Sequence, residues 1–215
     1  MSLPTHRNRI LFLFAVLAVI LAATTSLLNG MAAHAWLPDA PTTDVGGVIN
    51  SDTTWTLAGS PYVLTSDLTV AAGVTLTIEP GVLVVGEVFS SLWVEGHLEA
   101  IGTAVDPITF TSAADTRSGE WFGLYFVGGT GHLDHTVVRY TNGAGILVDG
   151  SPDAEPVIVE NSVIQDNYSY PLIVVTGNLH RLQLDNVTAS NNGANRVKIM
   201  ATSHTDNYLT RDTRL

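Results

Sequence analysis

The chain has 215 residues, no cysteine, and 20 Asp and Glu against 9 Lys and Arg, for a formal net charge of −11. Without cysteine there is no disulfide framework, no Cys-ligated zinc site and no thiol nucleophile, so stability rests on an apolar core and backbone ladders. The acidic balance argues against nucleic acid and anionic membranes as partners.

The chain opens like a secretory signal. His6, Arg7 and Arg9 form a positive start, Ile10 to Ala23 is wholly apolar, and Ala33-His34-Ala35 places small residues where a signal peptidase reads. Residues 1–35 are therefore expected as a signal peptide, with secretion or display at the cell surface and no membrane contact after cleavage. The rival reading is a retained anchor over Ile10 to Leu28, interrupted only by Thr24, Thr25 and Ser26. Once Arg7 and Arg9 leave, 7 of the 9 basic residues remain against 20 acidic ones. Residues 36–47, rich in Pro, Thr, Asp and Gly, read as a flexible lead-in.

From Val48 onward short β-prone runs are punctuated by Gly, Pro, Asn and Asp, and no segment keeps a helical period. Strands are expected at Leu68–Val70, Val74–Ile78, Val82–Val85, Leu92–Val94, Leu98–Ile101, Ile108–Phe110, Leu124–Val127, Leu133–Val138, Ile146–Val148, Val157–Val159, Leu172–Val175, Leu182–Leu184 and Val197–Met200. Connections this short leave no room for crossover helices. Three segments repeat one pattern: Leu133-Asp-His-Thr-Val137, Val159-Glu-Asn-Ser-Val163 and Leu184-Asp-Asn-Val-Thr188. A fixed period of about 25 residues is the mark of a solenoid. The expected fold is all-β: a parallel β-helix of about six coils, with Trp55 and Tyr62 covering its first coil. Val48 to Trp55 matches Tyr208 to Leu215 loosely, so residues 201–215 read as a tail or as the start of a further module absent from this chain.

Stacking turns the repeat into columns. Asp134, Glu160 and Asp185 form an acidic column that either is solvated or binds Ca²⁺. His135, Asn161 and Asn186 form a second column, in which stacked Asn side chains hydrogen-bond along the axis. Asp149, Asp153 and Glu155 lie in one loop with Gly150, a second possible Ca²⁺ site beside the reading as a solvated turn. No cofactor is required by any of these patterns. Trp121, Tyr168 and Tyr170 are the leading aromatic candidates for stacking on sugars, with Trp93, Phe122, Tyr125 and Tyr140 also available. An uncovered last coil leaves end-to-end self-association open.

The string DTTWTLAGSPYVLTSDLTVAAGVTLTIEPGV, followed by LWVEGHLEAIGTAVDPITFTS, resembles the opening of secreted bacterial right-handed parallel β-helix proteins of the pectin-lyase-like class. The most specific elements are Leu76 to Gly81, Gly102 to Pro107 and Trp121 to Phe126. The resemblance implies the fold across residues 48–200. The class includes polysaccharide lyases and hydrolases as well as adhesins, so two functions stand side by side. One is a structural, adhesive or glycan-binding protein whose partner is a polysaccharide or cell-surface glycan. The other is a Ca²⁺-dependent polysaccharide lyase or glycoside hydrolase. For an enzyme the candidate residues are Asp115, Glu120, Asp134 and Asp166 with His135 and Arg139; Arg139 stands where later repeats have Gln165 and Ser190. No catalytic motif of the class matches residue by residue.

Overall fold

A computed structural model describes residues 41–201. Residues 1–40, over which a signal peptide and the start of the lead-in are expected, and residues 202–215 lie outside the described residues.

Each coil contributes one strand to each of three faces. β1 (Thr43–Ile49) precedes the first full coil, which comprises β2 (Thr53–Trp55) and the long β3 (Tyr62–Val70). The second holds β4 (Thr75–Ile78), β5 (Leu83–Gly86) and β6 (Ser91–Val94); the third β7 (His97–Ile101), β8 (Ile108–Ser112) and β9 (Gly123–Val127). The fourth holds β10 (Thr130–Asp134), β11 (Thr136–Arg139) and β12 (Ile146–Asp149). The fifth holds β13 (Val157–Glu160), β14 (Val163–Gln165) and β15 (Leu172–Val175). The sixth holds β16 (Leu182–Asp185), β17 (Thr188–Ser190) and β18 (Val197–Met200). Face 1 is the six-stranded sheet β2-β4-β7-β10-β13-β16, every pair parallel. Face 2 runs β3-β5-β8-β11-β14-β17, and face 3 runs β3-β6-β9-β12-β15-β18. They share β3, whose first half (Tyr62–Leu64) pairs with β5 and whose second half (Leu68–Val70) pairs with β6.

The core is a stack of apolar rows along the axis. On face 1, Leu76, Leu98, Val157 and Val159 are fully buried; on face 2, Phe110, Val138 and Ile164; on face 3, Leu92, Leu124, Ile146 and Leu172. Trp55 and Tyr62 close the first coil as a stacked pair, ring centroids 4.6 Å apart, as expected.

Two boundaries differ from the sequence reading. β1 begins at Thr43, so the lead-in ends inside the span assigned to it. Gly46-Gly47 looked like a linker but is a bulge: the β1–β3 register shifts between Val45 and Gly47, and Gly47 has φ +80°. Glycine lets β1 follow the corner of β3 while keeping its pairing on both sides. Leu133–Val138, expected as one strand, is two, because His135 turns the chain in the left-handed region (φ 48°). Strands β14 and β17 were not expected. Each is three residues long and follows the same left-handed corner, at Asn161 (φ 46°) and Asn186 (φ 50°).

Candidate functional site

The acidic column has the expected register. Asp134 pairs with Glu160 and Glu160 with Asp185 on neighbouring strands of face 1. The column carries more than carboxylates. His132 Nε2 lies 2.7 Å from Glu160 Oε1, and His97 bridges Thr130 Oγ1 (2.6 Å) and Glu99 Oε2 (3.0 Å). His132 thus gives Glu160 a partner from the neighbouring strand, while His97 and Glu99 lie off the column, whose place on their strand is taken by Ile101. Among the described residues no three His, Cys, Asp or Glu side chains gather to hold a metal ion.

The Asn column also has the expected register. Asn186 Nδ2 donates to Asn161 Oδ1 (2.9 Å), and Asn161 Nδ2 donates to Asp134 Oδ1 (2.9 Å). The ladder therefore steps across to Asp134 instead of reaching His135. His135 Nδ1 lies 2.7 Å from Asp134 Oδ1 but outside hydrogen-bonding geometry, so the contact is one of proximity only. All three corner residues have positive φ, which Asn adopts with less strain than most side chains.

A second Asn ladder was missed. At the next corner, Thr141, Asn167 and Asn192 stack inside the solenoid. Asn167 Oδ1 accepts from Thr141 N (3.0 Å) and Thr141 Oγ1 (2.9 Å), while its Nδ2 donates to Val138 O (3.3 Å) and Asn192 Oδ1 (2.9 Å). Asn192 Nδ2 in turn donates to Ile164 O (2.8 Å). Asn167 heads a glycosylation sequon yet is buried with both amide atoms engaged. Replacing Asn167 with Ala removes four hydrogen bonds and leaves buried groups unpaired, so a loss of about 2–4 kcal/mol in urea unfolding is expected. Asn186→Gly, at the exposed end of the outer ladder, keeps the left-handed corner and is expected to shift stability by about 0.5 kcal/mol or less.

The structure brings three enzyme candidates together beside face 2. Arg139 Nη2 lies 2.8 Å from Asp115 Oδ1 and 2.9 Å from Asp115 Oδ2, and Arg139 Nε donates to Thr111 Oγ1 (3.1 Å). Thr111 Oγ1 itself donates to Asp115. Glu120, in the same loop and buried, accepts from Arg117 Nε (3.2 Å) and Ala114 N (3.3 Å). Burial alone would raise the Glu120 carboxyl. Hydrogen bonds from Ser112, Arg117 and Ala114, with the Arg117 charge, outweigh burial and hold it below the usual carboxylate range. A carboxylate whose pKa is depressed on folding adds stability above its unfolded pKa of about 4.3 and loses it as pH falls through the folded value. Urea unfolding between neutral and acidic pH is thus expected to show a steeper acid loss for wild type than for Glu120→Gln.

The other candidates are dispersed. Asp166 occupies a left-handed corner (φ 56°) in line with Tyr140 and Asn191, and its N–H donates to Ser190 O (3.1 Å). Trp121 is a correction. It is fully buried, its ring lies over Gly86, where a Cβ would come within 2.7 Å of the ring, and its Nε1 donates to Arg139 O (3.0 Å). Alternation on an outer strand suggested that Trp121 or its neighbour Phe122 points outward. The neighbour does: Phe122 is half-buried against exposed Phe89, ring centroids 5.9 Å apart. Tyr168 is 67% exposed, while Tyr170 packs near Lys198 Nζ (5.1 Å) and Arg196 (6.0 Å).

The Asp149–Glu155 loop closes around a cation already in the chain. Arg181, at the end of a 3₁₀ turn (Thr176–Arg181), is 1% exposed. Its guanidinium donates to the carbonyls of Asp149 (3.0 Å), Ser151 (3.4 Å), Glu155 (3.1 Å) and Gly129, and to Asn178 Oδ1 (3.1 Å). Asn178 Nδ2 and His180 Nε2 hold Gly150 O and Pro152 O from the same turn. The loop thus turns its carbonyls to arginine. The Asp149 carboxylate accepts from Gly150 N (2.7 Å), and Asp153 and Glu155 are exposed. Burial pulls Arg181 below its usual value and Asp149 pulls it back, and the guanidinium stays charged.

Parallel strands stacked coil on coil, with Asn ladders at the corners, define a parallel β-helix protein. Residues 47–137 match the family model described as "Pectate-lyase like beta helix domain". Over 73 residues the chain is 38% identical to "Protein bark beetle" of Drosophila melanogaster; the alignment covers 34% of this chain and 2% of that protein. The chain thus spans a small fraction of that relative's length. No solved structure gives a significant match. Among the described residues no helix is long and apolar enough to cross a membrane.

Proposed function

We propose that this chain is a secreted or cell-surface β-helix protein with a structural, adhesive or glycan-binding role, and that it binds glycan through its outer surface without cleaving it. One observation carries this reading: Asp115, Arg139, His132, Asp134 and Glu160, side chains suited to chemistry, are engaged in bonds that tie one coil to another. Asp115 and Arg139 hold each other across 24 residues of chain, and Glu160 and His132 across 28. Asp134 is held by Asn161. A general acid or base needs access to its substrate and a proton free to move, and bonds of this kind restrict both.

The test is incubation of the protein with pectin, alginate and xylan in the presence of Ca²⁺. Unsaturated uronates and reducing ends are followed, together with retention of the protein on each insoluble glycan. Retention on at least one of the glycans, without product from any, is expected. Product release that disappears in Asp115→Asn would overturn the proposal in favour of a lyase or hydrolase built on the Asp115, Glu120 and Arg139 cluster.

A further inference from the structure

Face 3 presents an outward row unlike those of face 1. Thr69, Trp93, Tyr125, Leu147 and Ile173 stand in register on five successive coils. Their strand neighbours Leu92, Val94, Leu124, Phe126, Ile146 and Val148 point into the core and are fully buried. The corresponding outer row of face 1 holds Thr77, Glu99 and His132. Apolar side chains at repeated outward positions are not needed for the core, since the solenoid is already filled from within.

Two features point to the kind of molecule that fits. The rings of Trp93 and Tyr125 meet edge to face, centroids 4.8 Å apart and planes at 77°. Beside them, one outward position earlier on β3 and β6, Ser91 Oγ donates to Asp67 Oδ1. Burial, and after it the Asp67 charge, push the Tyr125 hydroxyl above its usual pKa. An aromatic surface flanked by an exposed carboxylate matches the two sides of a sugar ring: an apolar C–H face and a rim of hydroxyl donors. The chain's net charge of −11 disfavours polyanions. The row is one side chain wide, and its apolar part from Trp93 to Ile173 is about 14 Å long at about 4.8 Å per coil. That is narrow for a stable protein dimer, which covers about 800 Å² per partner.

We propose that the Trp93–Tyr125 row binds a neutral polysaccharide laid along the solenoid axis, with the exposed Asp67 carboxylate, held in place by buried Ser91, accepting hydrogen bonds from the sugar hydroxyls. This rests on the glycan-binding reading above and adds its location and its charge class.

The test uses the full chain with xylohexaose, cellohexaose and mannohexaose as neutral probes and polygalacturonate as the charged one. Binding is measured by calorimetry and by tryptophan fluorescence; Trp55 and Trp121 are buried and Trp93 is partly exposed, so a signal absent from the Trp93→Phe variant reports on the row. At least one neutral hexaose is expected to bind. The affinity is expected to fall at least about tenfold in Trp93→Ala and in Tyr125→Ala and to hold in Trp93→Phe, which keeps an aromatic face and guards against a folding defect. His132→Ala on face 1 is expected to bind as wild type does. Neutral-glycan binding that survives both alanine variants but is lost in His132→Ala would overturn the location while leaving the glycan-binding reading intact. Binding of polygalacturonate alone would overturn the charge class. Binding of no probe would overturn both this proposal and the glycan-binding reading.

Discussion

Trp121→Ala is expected to lower the stability of the folded chain by about 4 kcal/mol, close to the upper range for deleting a buried aromatic side chain. The indole is fully buried at the start of face 3, where β9 begins. Its ring lies over Gly86 on the preceding coil, and its N–H satisfies the carbonyl of Arg139 on the following one. Truncation therefore opens a cavity, leaves one carbonyl unpaired, and does both where three coils meet. Trp121→Phe restores most of the volume but not the donor, so about 1–2 kcal/mol is expected for it. Urea unfolding followed by far-ultraviolet circular dichroism measures both. A loss below about 1 kcal/mol in Trp121→Ala would mean that the indole does not sit in the core.

Arg181→Ala is expected to have an effect of similar size, about 3–5 kcal/mol, because it leaves the buried carbonyls of a whole loop without their donor. The carbonyls of Gly129, Asp149, Ser151 and Glu155 and the amide of Asn178 all accept from one guanidinium. Arg181→Lys keeps the charge but not the fork of donors, so it is expected to recover less than half of the loss. Hydrogen exchange gives the more specific readout. Amides of residues 149–155 and of the 3₁₀ turn are expected to lose protection in Arg181→Ala, while those of β4, β5 and β7 keep theirs. If the Asp149–Glu155 loop keeps its protection, the guanidinium is not what shapes it.

The fold was largely legible in the sequence because a solenoid repeats its physics. The period of about 25 residues gave the columns Asp134–Glu160–Asp185 and His135–Asn161–Asn186 at the correct register. The left-handed corner explains why Asn recurs: the fold needs positive φ at that point on every coil, and Asn tolerates it. The inner ladder carried the same signal. Asn167 and Asn192 are 25 apart, as Asn161 and Asn186 are, so extending the repeated pattern six residues further would have found it.

Other features were not legible, for identifiable reasons. The direction of Trp121 depends on where β9 begins, and Trp121 precedes that strand as an isolated bridge to Thr141, so counting alternate residues along a strand does not place it. Arg181 reaches Gly129 across 52 residues of chain, and no local pattern announces such a contact. Asp115 and Arg139 were both suspected, but as groups that act on a substrate. Their pairing across neighbouring coils is a property of register and not of composition. Trp93 and Tyr125 were among the sugar-stacking candidates, but that they form one row with Leu147 and Ile173 shows only once the faces are assigned.

The fold requires coils stacked so that equivalent residues stand one strand spacing apart, and the absence of cysteine allows that to be measured directly. Two cysteines placed at Asp134 and Glu160 would face outward on adjacent parallel strands, about 4.8 Å apart, within the range of about 4.4–6.8 Å between Cα atoms that a disulfide spans. Cysteines at Asp134 and Asp185 would lie two coils apart, about 9.6 Å, beyond that range. Mild oxidation of the two double variants, read as loss of titratable thiol in the monomer, is expected to give rapid cross-linking for Asp134→Cys with Glu160→Cys and none for Asp134→Cys with Asp185→Cys. Cross-linking of the second pair and not the first would contradict the stacking order.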